Sequence, residues 1–313
     1  MARTLNILKY PWHIAHDYEL FKIGHTFKLY LGTHRQWAYH YRPLPAHIQP
    51  VYDLEDSGCE LMILHVDQWT WHEVDKRRLF EKMKRGFSGK KIIINHGCNV
   101  VDGCTNDQMM ELVEDYPVVC NSSLAYEKWA IPNSRYIHHG MSPEEWPESN
   151  YGNNNIVVTQ PPGNMHAAFR NNEAAIKFEE MSGIKIDWVG RDRKFSSFAQ
   201  YRSFLANSSV IFSPSYASPN PRARSEAMLC GLVLVSTNMH GESEYIENEK
   251  NGYVSNNMKE LYEYLLHLHN SPEDVRRMGR ASRQTAQENF NIKRFSDEWD
   301  EVLNATMSDK PIG

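Results

Sequence analysis

Carboxylates and guanidinium groups crowd one stretch of this chain. Arg222, Arg224 and Glu226 stand close together, and Glu244 follows in His240-Gly241-Glu242-Ser243-Glu244. A carboxylate offers two acceptor oxygens, which suit the paired hydroxyls of a ribose. A guanidinium can meet a diphosphate in bidentate fashion. Backbone N–H groups at helix starts and glycine turns add donors for phosphate. Together these groups suit a nucleotide. Each also has an ordinary explanation: Glu226 would favour the dipole of its own helix, and either arginine would serve as a solvated charge.

The flanking residues dictate what carries these groups. Val210-Ile211-Phe212 is a short apolar run closed by Pro214, hence a strand and then a loop. Ala227-Met228-Leu229-Cys230 reads as a helix that stops near Gly231. Val233-Leu234-Val235 is the next buried strand, and Asn251-Gly252-Tyr253 a turn. Glu226 is therefore expected near a helix N-terminus at the carboxyl ends of parallel strands, where open α/β sheets bind ligands.

Taken in order, the string resembles the donor-binding half of a retaining GT-B glycosyltransferase of the family-4-like group, the glycosyl transferases group 1. Ser225-Glu226-Ala227-Met228-Leu229-Cys230-Gly231 matches the family's Glu-Ala-Met-Ala-x-Gly segment. His240 to Glu244 matches its Gly-Gly-x-x-Glu loop, with His240 replacing the first glycine. The resemblance implies an α/β protein of GT-B type, with two Rossmann-like domains facing across a cleft. It implies a donor site drawn from Arg170, Gly190, Ser218, Asn220, Arg222, Arg224, Glu226 and Glu244, with His96, Arg170 and Glu226 in the catalytic roles. Glu226 would hold the ribose and Arg170 would face the leaving diphosphate. His96, in Asn95-His96-Gly97, would touch the donor sugar or the acceptor. The family's first Glu of Glu-x7-Glu falls on Ser218, within Ser218-Pro219-Asn220-Pro221-Arg222. That departure bears on the donor sugar and on activity.

The implied reaction moves a sugar from a nucleoside-diphosphate sugar to an acceptor hydroxyl, with retention. No cofactor is implied beyond that co-substrate, and no metal, since an Asp-x-Asp motif is absent. The hydroxyl would belong to a glycan, a lipid-linked sugar or a modified DNA base. A net charge of -5 disfavours nucleic acid. A non-catalytic nucleotide-sugar-binding GT-B protein and a nucleotide-sugar epimerase fit the same string.

A chain of 313 residues suffices for two medium domains. The expected division is 1–150, an acceptor-side Rossmann-like domain, and 151–290, the donor-binding domain. Residues 291–313 are expected as a terminal helix crossing back to the first. Ser149 to Asn155, rich in Asn, Gly and Ser, is the linker candidate. Apolar runs at Leu61–Val66, Ile92–Ile94, Val118–Cys120, Ile156–Val158 and Ile186–Trp188 alternate with helical patches at Asp75–Met83, Asn172–Met181 and Phe290–Val302. That alternation implies βαβ units and parallel sheets. Met1 to Leu8 reads as an edge or first strand. Met258, Leu261, Tyr262, Leu265, Leu266 and His269 form a stripe at helical spacing, expected in the core.

No apolar run approaches the ~18 residues of a membrane span. The N-terminus is too short and polar for a signal peptide. Five cysteines without CxxC spacing suggest reduced thiols and a cytoplasmic location. The pairs His13/His16 and His138/His139 lack the spacing of a metal motif.

Overall fold

The computed structural model describes residues 3–98, 103–151, 153–159, 171–216, 222–238 and 241–313, without the side chains of Asp56 and Glu242. Arg170, Ser218, Asn220 and His240 lie outside the described residues. The chain divides into two compact units, Met1–Gly140 with Ile292–Gly313, and Met141–Asn291.

The first unit is built on β1 (Asn6–Lys9), β2 (Thr26–Tyr30), β3 (Gln49–Val51), β4 (Leu61–Val66), β5 (Lys90–Asn95), β6 (Val118–Cys120) and β7 (Ser134–Tyr136). They form one seven-stranded sheet in the order β3-β2-β1-β4-β5-β6-β7, every pairing parallel. Parallel sheets are covered on both faces, so their strands read as unbroken apolar runs. Every residue of Leu61–Val66 is buried. β1 pairs with both β2 and β4, so it is an interior strand and not an edge.

Its helices are α1 (Ile14–Leu20), α2 (Val74–Gly86), α3 (Asn106–Val113) and α4 (Ser123–Trp129). α2 is charged outside and buries Leu79, Phe80 and Met83. A capping box opens α3, with Thr105 accepting from Gln108 N–H. Ser122 caps α4 by accepting from Ala125 N–H at 3.1 Å. α2, α3 and α4 bury their apolar sides in one core with Met62, Leu64, Ile93 and Val118.

The second unit carries β8 (Ile156–Val158), β9 (Ile186–Trp188), β10 (Val210–Ser213), β11 (Val233–Ser236) and β12 (Gly252–Val254) in the order β12-β11-β10-β8-β9, again all parallel. Its helices are α5 (Asn172–Ser182), α6 (Phe198–Ala206), α7 (Arg222–Leu229), α8 (Met258–Asn270) and α9 (Pro272–Asn289). In α8 the buried positions are Leu261, Tyr262, Leu265 and Leu268, whereas Leu266 is exposed. Leu268 lies seven residues from Leu261 and completes the stripe; Leu266 is turned away from it.

The last helix, α10 (Ile292–Met307), belongs to the first unit and is longer than the apolar pattern suggested. It buries Phe295, Trp299, Val302 and Leu303. Gly140 lies flat against Phe295, and any Cβ at that position would overlap the ring's base. Both sheets reverse their winding once, between β1 and β4 and between β8 and β10. Such switch points are where doubly wound sheets bind ligands, at the carboxyl ends of the strands.

Candidate functional site

In the second unit the switch point is formed by β8 and β10, and α7 follows β10. Glu226 is the fifth residue of α7, so it sits in the second helical turn and not at the N-terminus expected from the sequence. The helix includes Arg222-Ala223-Arg224-Ser225 because arginine and alanine are strong helix formers and nothing there breaks the run. Glu226 is 1 % exposed, and Tyr201 of α6 donates its hydroxyl to Glu226 Oε2 at 2.9 Å. The carboxylate is therefore oriented from below by a buried phenol. A helix dipole explanation based on the first turn does not apply to it.

Arg222 and Arg224 are also buried, which rules out simple solvated charges. Arg224 donates from Nε to Ser213 Oγ, the last residue of β10, at 2.8 Å. Burial pulls the Arg224 guanidinium down to about 10, opposed by Tyr245. At neutral pH it stays cationic. Arg222 is four residues before Glu226 and lies on the same helix face, while Arg224 points elsewhere. The helix that follows β10 thus buries two cations and one carboxylate, and Arg224 ties it to the strand end.

Gly190 follows β9 in a left-handed conformation, φ 88°, and donates its N–H to the Arg193 carbonyl at 2.7 Å. It is an exposed turn residue. Glu244 closes a short 3-10 turn and is exposed, its N–H bonded to the Gly241 carbonyl at 2.9 Å.

In the first unit a polar row lies along the strand ends around the switch point. His96 follows β5 and is half-buried. His65 Nδ1 lies 2.9 Å from His96 Nε2, and Asn121 Nδ2 lies 3.3 Å from His96 Nδ1. Lys9, at the end of β1, is fully buried with Nζ 2.8 Å from Asp17 Oδ1 and 2.7 Å from His65 Nε2. Burial and the Lys9 charge hold His65 well below the usual imidazole range. The pair His13/His16 is absorbed here, stacking on His96 at 5.8 Å and meeting it edge-on at 5.5 Å. The backbone carbonyls of His138 and His139 accept from Arg294 of α10.

Of this row, sequence reasoning singled out only His96. Lys9 and His65 were missed, although the signal was present. A charged or polar residue inside an apolar parallel strand must be paired if the strand is buried. Lys9 ends Asn6-Ile7-Leu8-Lys9, and His65 interrupts Leu61-Met62-Ile63-Leu64-His65-Val66.

Comparisons with known proteins bear on both units. Residues 193–285 match the family described as glycosyl transferases group 1. Spore coat protein SA of Bacillus subtilis (strain 168) is 32% identical over 99 residues, 31% of this chain and 26% of that protein. The match therefore spans about a quarter of that relative's length. Among solved structures, Anabaena HepE in complex with UDP and glucose is similar at a TM-score of 0.68 and 12% identity, covering 96% of this chain and 100% of that one. Sucrose-phosphate synthase from Thermosynechococcus elongatus gives 0.66 at 13% identity, covering 98% and 100%. At these identities the likeness concerns the fold. The chain is an α/β protein of the GT-B fold, and its residues 193–285 carry the glycosyl transferases group 1 signature.

Proposed function

We propose that this protein transfers a sugar from a nucleoside-diphosphate sugar to an acceptor hydroxyl. The observation that carries the reading is the coincidence of the family match at 193–285 with a buried carboxylate and two buried arginines on the helix that follows β10. Glu226 receives the ribose hydroxyls on the carboxylate that Tyr201 orients. Arg170, with Arg222 or Arg224, opposes the charge that develops on the departing diphosphate. Gly190, Ser218, Asn220 and Glu244 line the donor. Acceptor recognition falls to the first unit, where His96 meets the donor sugar or the acceptor.

In the transfer the anomeric carbon loses its bond to the diphosphate oxygen and gains one to the acceptor oxygen. The acceptor's proton leaves with the diphosphate or to solvent. Catalysis is mostly positioning and electrostatic stabilisation of the leaving group. Buried guanidinium groups supply positive charge in a low-dielectric setting, which supports a metal-independent reaction; retention is proposed on the resemblance to the family alone. HepE, similar in fold, was solved with UDP and glucose, which supports a nucleotide sugar as the donor.

The test is release of nucleoside diphosphate from a panel of nucleotide sugars, with and without hydroxyl acceptors. Acceptor-dependent release is the expected result. Glu226→Ala should weaken donor binding about tenfold to a hundredfold, the worth of a charged hydrogen bond of roughly 1.5–3 kcal/mol. Unchanged donor affinity in Glu226→Ala would remove the assigned ribose site. A second reading, a non-catalytic nucleotide-sugar binder, is favoured by Ser218 standing where the family carries a glutamate. Tight donor binding with no turnover over the whole acceptor panel would select it.

A further inference from the structure

Four strand ends of the first sheet carry one line of side chains in contact. Lys9 ends β1, His65 is the penultimate residue of β4, His96 follows β5 and Asn121 follows β6. This is also the order of those strands in the sheet. The contacts run from Lys9 Nζ to His65 Nε2 at 2.7 Å, from His65 Nδ1 to His96 Nε2 at 2.9 Å, and from His96 Nδ1 to the Asn121 amide at 3.3 Å.

Proton counting gives this line a direction. An ammonium group has donors and no acceptor. Lys9 therefore donates to His65 Nε2, and neutral His65 carries its proton on Nδ1. That proton is given to His96 Nε2, so the proton of neutral His96 stands on Nδ1. It needs an acceptor there. Asn121 Oδ1 is buried without a partner among the described residues, and turning the amide end for end brings it to His96 Nδ1.

The opposite direction requires a neutral Lys9 accepting from His65 Nε2–H. Burial favours that form of Lys9, while Asp17 at 2.8 Å opposes it. Asp17 also accepts from Trp12 N–H at 3.1 Å through its other oxygen. A neutral amine would take away the charge that stands 2.8 Å from that buried carboxylate, which is the strongly unfavourable way to break a buried pair. The donating ammonium is the better arrangement.

We propose that Lys9 and His65 are positioning residues that hold His96 as its Nδ1–H tautomer, with the ring braced between His13 and His16. A fixed tautomer gives His96 a defined hydrogen-bond polarity toward the sugar or acceptor. That consequence rests on the role given to His96 above; the tautomer itself does not.

The experiment is long-range 1H–15N NMR on the full-length protein labelled with 15N-histidine, at neutral pH. The His96 signals are identified as those lost in His96→Gln. The expected spectrum shows a protonated Nδ1 and a bare Nε2 for His96. Lys9→Met should move His96 toward the Nε2–H form that free histidine prefers. A His96 with Nε2–H in the unmodified protein, or one averaging both forms, overturns the proposal. The unmodified spectrum decides alone if Lys9→Met does not fold. An Nδ1–H tautomer together with full glycosyl transfer by His96→Gln would keep the relay and remove the role assigned to His96.

Discussion

Tyr201→Phe removes one hydroxyl and leaves the ring in place. Tyr201 is 8 % exposed, and its hydroxyl donates to Glu226 Oε2 at 2.9 Å. The ring packs against Phe195 and Trp146, with centroids 5.6 and 6.4 Å away, and those contacts survive in phenylalanine. The loss is then a hydrogen bond to a buried carboxylate, about 1.5–3 kcal/mol. A unit of this size shifts its Tm by about 2–4 °C per kcal/mol, so the second unit should melt roughly 3–12 °C lower. Differential scanning calorimetry is the appropriate assay, because two units need not unfold in one transition. A double-mutant cycle with Glu226→Gln separates the pair from its surroundings and should return a coupling of about 0.5–3 kcal/mol. A Tm within ~1 °C of the unmodified protein, with no coupling, would refute the reasoning. It would mean that Glu226 finds water as readily as it finds Tyr201.

Two further outcomes follow from packing and burial. Gly140→Ala places a methyl group against Phe295 and should cost about 1–3 kcal/mol in urea denaturation, whereas Gly24→Ala, with open space around it, should cost far less. Burial pushes Cys104 up to about 11, and Cys120 and Cys230 up to about 12, from an ordinary 9.0. Below pH 9 both folded and unfolded chains keep these protons, so the contribution is complete; above pH 9 the unfolded chain loses them first, and stability falls up to about 11 for Cys104 and about 12 for Cys120 and Cys230. Melting curves across that window should therefore decline less steeply for Cys120→Ala than for the unmodified protein, and parallel declines would contradict the assignment.

Much of the fold was legible because parallel strands, covered on both faces, must be apolar throughout. Leu61–Val66 and Ile156–Val158 were read from sequence with the bounds the structure gives them. The start of α7 was not legible. Arg222-Ala223-Arg224-Ser225 is polar and shows no stripe, yet Arg222, Arg224 and Ser225 are all buried. Hydropathy cannot reveal a helix whose buried residues include charged and polar ones. Leu266 and Leu268 illustrate the other limit: both are apolar, and only the angular phase of the helix decides which one enters the core. In the candidate site, Glu226 was found through its place in a family-like string, and the arginines as positive charge close to it. Tyr201 was not, because a phenol 25 residues away in sequence becomes a partner only when α6 and α7 pack together. Lys9 and His65 were different: each was visible as one polar residue within an apolar run.

The most direct measurement is a calorimetric titration of the purified protein with a series of nucleoside diphosphates, repeated with Glu226→Ala. Saturable binding of one nucleotide per chain, selective for one base and weakened about tenfold to a hundredfold by the substitution, is the expected result. Absence of binding by every nucleoside diphosphate, or binding indifferent to Glu226, would contradict a donor site at the end of β10.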